Sequence, residues 1–353
     1  MEHRDISDPE PTHRKARRYR IRGGGGVLTT RLRVVSTAVV AATVMVCAWG
    51  FVATGAASAD RASAETIRAV RYGPEPHQLL DLYLPARTGT EPRIPTIVYL
   101  HSGGWIAGSR SNVAIPALAQ LPRGYAIASV DYQLATPGGN GSFPGAVYDV
   151  KRAIRFLKAG AERWGLDPSR MILMGTSAGG HLAALSAASA SVGRLEPHVT
   201  GPLAAVDSRV AAVVDIVGIT DLATFSVAPH PWAAPLTAEF LGCPMRNGRA
   251  ECPSTRLREA SVAPYVTSAT PPIFMAYGAK DNLVVPTTQG APLVHAWVQA
   301  HHGDPGSAVY EVVSGGGHNI GTGQVDMRDL DHFLDQASRS VLSILKWAGP
   351  VAL

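Results

Sequence analysis

Cysteine is scarce in this sequence, which holds only Cys47, Cys243 and Cys252 among 353 residues. Two cysteines follow residue 59, and two cysteines with no suitably spaced histidine cannot form a zinc site. In an oxidising compartment, two cysteines so close in sequence are expected to pair rather than stay free. The sequence therefore predicts no metal site and a disulfide between Cys243 and Cys252.

Charged residues are also few, at 17% of the chain against 46% hydrophobic residues. A chain of this length and composition buries a large core and is not disordered as a whole. The formal net charge of +5 comes from residues 1–33, which hold nine Lys or Arg and four Asp or Glu. Residues 34–353 hold 23 of each and have no net charge, so nothing in them favours nucleic-acid binding.

Charge is absent from residues 34–59, which are mostly apolar and follow the basic tail 1–33. The positive-inside rule keeps that tail cytoplasmic and places the chain from residue 60 onwards outside the cytoplasm. Two interpretations stay open. The segment is a signal peptide cleaved after Ala57-Ser58-Ala59, or it remains as a membrane anchor, because about 20 residues suffice to span a bilayer. Both predict an exported protein, which is either secreted or held in the cell envelope facing outwards.

Apolar strands alternate with helices along residues 60–353, which we expect to form one domain. Strands are predicted at 69–72, 79–84, 94–100, 126–130, 171–174, 210–217, 272–277 and 308–313. Helices are predicted at 113–121, 146–157, 181–188, 287–301 and 326–346. The first two strands are expected to form an antiparallel pair. The alternation that follows predicts an α/β fold with a mostly parallel central sheet flanked by helices.

Residues 221–270 break this alternation, with several prolines and both exported cysteines. An insertion of this length in a compact domain is typical of a lid or binding loop. The alternative is a solvated excursion that contacts no ligand.

The sequence Gly175-Thr176-Ser177-Ala178-Gly179 lies between the predicted strand 171–174 and the predicted helix 181–188. A Gly-x-Ser-x-Gly in this position is a nucleophile elbow, in which glycines fit a sharp turn that exposes the serine Oγ. The five-residue pattern alone could be coincidence in a glycine-rich chain. The strand before it and the helix after it favour the functional interpretation, with Ser177 as the nucleophile.

A serine nucleophile needs a base, and His318 is the predicted one. It follows strand 308–313 and a run of three glycines, so it lies on a loop at the carboxyl end of a strand, where the sites of open sheets collect. His181, in the helix after the elbow, is expected to pack in the core or face solvent.

The base needs an orienting acid, and Asp281 is predicted because it comes just past strand 272–277. Asp221 is the second choice, with helix capping or turn closure as its alternative role. Asp131 ends a strand that precedes the serine, and Asp215 falls inside a strand.

The predicted oxyanion donors are the backbone N–H of Ala178 and the N–H groups of Gly103 and Gly104, which follow strand 94–100. Three aromatic residues, Trp105, Tyr132 and Trp232, are candidates for an apolar substrate pocket. Each of the three is equally compatible with core packing.

Five motifs carry a family resemblance. They are His101-Ser102-Gly103-Gly104-Trp105, Asp131-Tyr132-Gln133-Leu134, Gly175-Thr176-Ser177-Ala178-Gly179-Gly180, Gly278-Ala279-Lys280-Asp281 and Gly317-His318. In this order they resemble the α/β-hydrolase superfamily, and within it the hormone-sensitive-lipase-like and bacterial feruloyl-esterase-like carboxylesterases. The resemblance runs from about residue 69 to 348. Ser102 stands where the family usually has glycine, and the short stretch before the first core strand favours the feruloyl-esterase-like branch.

The resemblance implies an α/β-hydrolase fold and a carboxylic ester hydrolase with no metal or organic cofactor. By matched position, Ser177, Asp281 and His318 form the triad, and Gly103, Gly104 and Ala178 form the oxyanion hole. The expected protein is an exported serine esterase that acts on a small-molecule or lipid-like ester, and it contacts the membrane through residues 34–59 if these are uncleaved. The alternatives are a lipase or a peptidase/amidase on the same fold, or a non-catalytic surface protein.

Overall fold

The computed structural model describes residues 64–87, 92–139, 141–320 and 323–339, which all fall within one compact unit. The basic tail and the apolar segment 34–59 predicted from the sequence lie outside the described residues. No helix formed by the described residues is long and apolar enough to cross a membrane.

The described strands follow the predicted alternation. They are β1 (Glu65–Arg71), β2 (Leu79–Leu84), β3 (Ile94–Leu100), β4 (Ala126–Val130), β5 (Leu166–Thr176), β6 (Ala212–Ile216), β7 (Met245–Arg246), β8 (Arg249–Ala250), β9 (Ile273–Gly278) and β10 (Ala308–Val313). The described α-helices are α1 (Ile115–Leu118), α2 (Gly145–Ala159), α3 (Ala178–Ala188), α4 (Leu222–Ser226), α5 (Ala233–Leu241), α6 (Ser254–Ala260), α7 (Gly290–Ala300) and α8 (Met327–Arg339).

Eight strands form one sheet in the order β1-β2-β4-β3-β5-β6-β9-β10. The strands from β4 to β10 in this order are parallel, whereas β2 is antiparallel to β4 and β1 is antiparallel to β2. Because two reversals restore the direction, β1 runs the same way as the parallel strands, and Glu65 lies at their amino edge. The predicted antiparallel opening pair and mostly parallel sheet are confirmed, and the architecture is an α/β-hydrolase fold.

Side chains at alternate positions of each strand enter cores on opposite faces of the sheet. In β3, Val98 and Leu100 belong to the core that includes α2, α3 and α7, and Ile97 and Tyr99 belong to the core that includes α1 and α8. Since both faces are buried, the central strands are mostly apolar on both faces instead of alternating regularly with polar residues.

Residues 221–270 form the helices α4, α5 and α6 and the short hairpin of β7 and β8. Helix α4 contacts both α5 and α6, so the insertion is a packed helical layer. The predicted disulfide between Cys243 and Cys252 is present in it. In the chain-entropy model, a disulfide that closes a loop this short stabilises the folded protein by less than ~3 kcal/mol, because it restricts the unfolded chain only modestly.

Several elements differ in length from the sequence prediction. Strand β1 begins at Glu65, four residues before the predicted start at residue 69. Strand β5 begins five residues before the apolar run 171–174, because Leu166 already pairs with Ile94 of β3. The predicted helix 113–121 is a single α-turn, α1, with Pro116 in the first turn, followed by a 3-10 turn. Helix α8 is described to Arg339, and the rest of the predicted helix 326–346 lies outside the described residues.

Candidate active site

Ser177 occupies the turn between β5 and α3 with φ 56° and ψ −119°. A Cβ on Gly175 would lie 2.2 Å from backbone atoms of Gly179, and a Cβ on Gly179 would lie 2.1 Å from the carbonyl oxygen of Leu100. A side chain at either glycine would collide with backbone, so the turn requires both. The positive φ at Ser177 costs on the order of 1–3 kcal/mol. The Ser177 N–H donates a hydrogen bond of 2.8 Å to the carbonyl of Ile216, at the end of β6.

Ser177, His318 and Asp281 form one chain of hydrogen bonds. The His318 Nε2 lies 3.0 Å from Ser177 Oγ, and the His318 Nδ1 lies 2.8 Å from Asp281 Oδ2. The other carboxylate oxygen of Asp281 accepts the backbone N–H groups of Leu283 and Val284, each at 2.9 Å. When the Nδ1–H of His318 donates to the Asp281 carboxylate, Nε2 is free to accept the serine proton.

The loops that carry Asp281 and His318 pack against each other at the carboxyl ends of β9 and β10. The Lys280 N–H donates to the Gly316 carbonyl at 2.7 Å, and the Ala279 N–H donates to the Val313 carbonyl at 3.0 Å. A Cβ on Gly278 would lie 2.3 Å from the Gly317 carbonyl oxygen. These close backbone contacts hold Asp281 and His318, 37 residues apart in sequence, within hydrogen-bond distance.

The loop after β3 brings Gly103 and Gly104 to the same site. Both have positive φ, 123° and 60°, and a Cβ on Gly103 would lie 2.1 Å from the Ala107 carbonyl oxygen. The Gly103 carbonyl accepts the N–H groups of Ile106 and Ala107, each at 3.1 Å. Ala178, the third predicted oxyanion donor, is the first residue of α3 and is buried.

A cavity of about 480 Å³ opens at Ser177 and His318, and Gly103 and Gly104 also line it. Its apolar lining includes Ile219, Phe225, Leu236 and Leu283, and residues 112–115 line it as well. Of the described residues that line it, none is Asp, Glu, Lys or Arg.

Two of these lining residues come from the insertion, Phe225 on α4 and Leu236 on α5. The sequence indicated the segment 221–270 as a binding element but did not identify these two side chains, because irregular spacing there gives no periodic pattern. Leu236 lies against the loop after β3, since a Cβ on Gly104 would lie 2.5 Å from Leu236 Cδ2.

The three aromatic side chains proposed for the pocket do not line this cavity, and that prediction is corrected. Trp105 is fully buried and stacks on Phe240 with ring centroids 4.4 Å apart. Tyr132 is buried, stacks on His101 and donates its hydroxyl to the His101 carbonyl. Trp232 precedes α5 and is 60% exposed. Residue type and strand-end position do not determine which way such a side chain turns.

The other acidic candidates have structural partners. Asp221 caps α4 by accepting the N–H groups of Ala223 and Thr224, as its alternative role predicts. Asp131 forms an ion pair with Arg110. Among the described residues, no group of three or more His, Cys, Asp or Glu side chains could hold a metal ion.

Asp215, on β6, is fully buried beneath the first turn of α3, where a Cβ on Gly180 would lie 2.3 Å from its Oδ1. Burial raises the pKa of Asp215 to about 7. The Tyr277 hydroxyl lies 3.0 Å from Asp215 Oδ2 and 2.8 Å from the Gly218 carbonyl oxygen. A hydroxyl has one proton, so a protonated Asp215 completes the chain by donating to Tyr277 while Tyr277 donates to Gly218.

A family model described as BD-FAE matches residues 80–297. Among curated relatives, esterase LipC of Mycobacterium tuberculosis is 30% identical over 229 residues, which cover 64% of this chain and 54% of LipC. The probable carboxylic ester hydrolase LipM of the same organism is 28% identical over 198 residues, which cover 56% of this chain and 43% of LipM. The chain spans about half the length of these curated relatives.

Solved structures share the architecture. A truncated carbohydrate esterase from gut microbiota superposes with a TM-score of 0.64 at 25% identity, over 79% of this chain and 98% of that one. Esterase B from Lactobacillus rhamnosis superposes with a TM-score of 0.62 at 20% identity, over 80% and 90% of the two chains. At that identity the second likeness concerns the fold alone.

The buried carboxyl of Asp215 predicts a pH dependence of stability. An aspartate in the unfolded chain loses its proton near pH 4, whereas Asp215 in the folded protein keeps its proton to about pH 7. Between these values the folded state binds more protons, so the free energy of unfolding falls as the pH rises. We expect Asp215→Asn to lack this component. The free energy of unfolding of the variant, relative to that of the wild type, should therefore rise by up to ~4 kcal/mol from pH ~4 to pH ~8. Urea unfolding of both proteins across this range measures the difference, and parallel curves would contradict the prediction.

Proposed function

The chain belongs to the BD-FAE family, and from this premise we propose that it is a serine esterase that hydrolyses carboxylic esters through an acyl-enzyme on Ser177. The observation that carries the proposal is the hydrogen-bonded chain of Ser177, His318 and Asp281 at an uncharged cavity. The curated relatives named as esterases or carboxylic ester hydrolases support the same reaction class.

In the proposed mechanism, His318 Nε2 takes the proton of Ser177 as Oγ attacks the ester carbonyl. The Asp281 carboxylate accepts the Nδ1–H, holds the ring in the reactive tautomer and stabilises the imidazolium that forms. The imidazolium then gives its proton to the leaving alcohol. Water activated by the same histidine hydrolyses the acyl-enzyme and restores Ser177.

The negative charge that develops on the carbonyl oxygen is stabilised by the backbone N–H groups of Gly103, Gly104 and Ala178. Positive φ values at the two glycines allow the loop after β3 to approach the nucleophile, and Ala178 begins the helix that follows it. Removal of one such donor typically lowers the rate about 10²–10³-fold.

Replacement of the nucleophile tests the mechanism. We expect Ser177→Ala to keep its fold and to lose turnover of a short-chain aryl ester such as p-nitrophenyl butyrate by at least ~10⁴-fold in kcat. A fluorophosphonate probe should label the wild type at Ser177 and leave the variant unlabelled, as measured by mass spectrometry of the intact protein and its peptides.

The matched control is Ser186→Ala, which removes a buried hydroxyl from α3, the helix that follows Ser177. This hydroxyl has no hydrogen-bond partner among the described residues. We expect the control to retain wild-type turnover. Wild-type turnover by Ser177→Ala would sink the assignment, and absence of labelling in an intact wild type would favour a non-catalytic protein.

The cavity favours neutral esters with a modest apolar acyl or alcohol group as substrates. Its apolar lining includes Phe225 and Leu236, and none of the described lining residues is Asp, Glu, Lys or Arg. A peptide or headgroup with several charges would lose water there without an opposite charge to replace it. This argument favours the esterase over the peptidase interpretation.

Leu236 is expected to limit the size of the acyl group because it lies against Gly104 beside Ser177. In Leu236→Ala the cavity gains volume, and we expect the ratio of kcat/KM for p-nitrophenyl octanoate to that for the butyrate to rise roughly tenfold. The control is Leu257→Ala on α6, which removes a partly buried leucine that packs on the core but does not line the cavity. An unchanged ratio in Leu236→Ala would contradict this role.

Export is also part of the proposal. The basic tail, the uncharged segment 34–59 and the pairing of Cys243 with Cys252 support it, because structural disulfides persist in oxidising compartments. On this view the catalytic domain acts outside the cytoplasm, and cleavage after Ala59 or retention of the segment decides between a secreted and an anchored enzyme.

Expression of the full chain and cell fractionation test the export. We expect the domain outside the cytoplasm with no free thiol at Cys243 or Cys252. A mature form that begins at Asp60 indicates a cleaved signal peptide, and a full-length form in the membrane fraction indicates an anchor. Full-length protein in the cytoplasm with both thiols free would contradict the proposal.

A further inference from the structure

Trp105 ends the loop after β3 that carries the proposed oxyanion donors Gly103 and Gly104. Its backbone conformation is one that bulky residues rarely adopt. Its φ is 64°, and it follows Gly103 and Gly104, so three consecutive residues have positive φ. Glycine adopts such values freely, but a tryptophan keeps one only where its surroundings hold it there. The contacts of the Trp105 side chain therefore set the position of the loop.

The indole of Trp105 is fully buried and hydrogen-bonded to a single side chain. Its Nε1–H donates to Nδ1 of His181 at 3.1 Å, and His181 Nε2 lies 2.7 Å from the Ala260 carbonyl oxygen. Because an indole can only donate, Nδ1 of His181 must accept, and the ring proton lies on Nε2, from which it is donated to Ala260. Burial lowers the pKa of His181 to about 4, so this neutral tautomer persists at neutral pH.

His181 lies one helical turn after the nucleophile, and its N–H donates to the Ser177 carbonyl at 3.0 Å. Its ring thus connects α3, which supplies the amide of Ala178, to the loop that supplies the amides of Gly103 and Gly104. The donors of the proposed oxyanion hole lie in two segments, the loop after β3 and the start of α3 after β5. The hydrogen bond of Trp105 to His181 joins these two segments directly.

The insertion completes the surroundings of this pair. Phe240 on α5 stacks on Trp105 at 4.4 Å and meets the His181 ring edge-on at 5.4 Å. Phe225 on α4 lies edge-on to Trp105 at 6.3 Å, and Ala260 ends α6. All three helices of the insertion therefore contact the Trp105–His181 pair.

We propose that His181 is a positioning residue of the oxyanion hole, which it aligns by accepting the indole N–H of Trp105. The inference rests on the proposed esterase function and adds a residue that does not touch the substrate. Without the acceptor, the Trp105 N–H is buried and unpaired, and the strained loop loses the bond that ties it to α3. The amides of Gly103 and Gly104 then shift relative to Ala178, which weakens binding of the transition state more than binding of the ester.

Replacement of His181 by residues with and without an acceptor tests the inference. We expect His181→Leu to lower kcat roughly 10- to 100-fold with KM within about threefold of the wild type. An alkyl trifluoromethyl ketone forms a hemiketal whose oxyanion occupies the oxyanion hole. Its inhibition constant for His181→Leu should rise by a similar factor. His181→Asn places an amide oxygen near the position of Nδ1 and should recover most of both losses.

His301→Leu is the matched control, because both ring nitrogens of His301, like those of His181, have hydrogen-bond partners. Those of His301 are backbone carbonyls, and His301 does not line the cavity. It should lower stability and leave kcat unchanged. If His181→Leu does not fold, Trp105→Phe removes the same hydrogen bond while a ring remains against Phe240, and it should show the same fall in kcat. The double variant of Trp105→Phe and His181→Leu should be no slower than the slower single variant.

Several results would overturn the inference. They are a folded His181→Leu with wild-type kcat, an equally slow His181→Asn, or fully additive losses in the double variant. Each is measured against a wild type whose turnover depends on Ser177. A wild type without such turnover would overturn the proposed function itself, and this inference with it.

Discussion

The site depends on a close approach between backbone segments that leaves no room for a Cβ. The carbonyl oxygen of Leu100 lies so near Gly179 that any side chain there would collide with it. Helix α3 therefore begins directly beside the end of β3, and Ser177 comes to lie next to the loop of Gly103 and Gly104. The same constraint recurs where Gly278 meets Gly317, which brings Asp281 to His318.

The sequence was sufficient for the features that short motifs and strand ends determine. The eight main strands, the elbow and the approach of Asp281 and His318 to Ser177 follow from local patterns, because parallel strands deliver their carboxyl ends to one edge. The catalytic roles of these residues are part of the proposed function. The cavity wall could not be read in this way, since Phe225 and Leu236 reach it through the packing of helices that have no periodic pattern. For Trp105 the sequence left a pocket position and core packing open, and the structure places its indole in the core.

The insertion is more than a cover for the cavity. Its helices α4 and α5 supply lining residues, and Phe240 and Ala260 hold the buried pair of Trp105 and His181. A segment with these contacts to Trp105 and to the cavity is part of the framework of the site. Phe225 both lines the cavity and lies edge-on to Trp105, so its substitution is expected to affect substrate size and loop geometry together.

The direction of β1 has a consequence for how the domain can be attached to something larger. Glu65 lies at the amino edge of the parallel strands, and Ser177 follows the carboxyl end of β5. Strands of this kind rise about 3.3 Å per residue, so roughly 20 Å of sheet separates the two edges. A resin, a fusion partner or any other support joined just before Glu65 is thus connected on the side away from the cavity, and dissolved esters keep an open path to the serine.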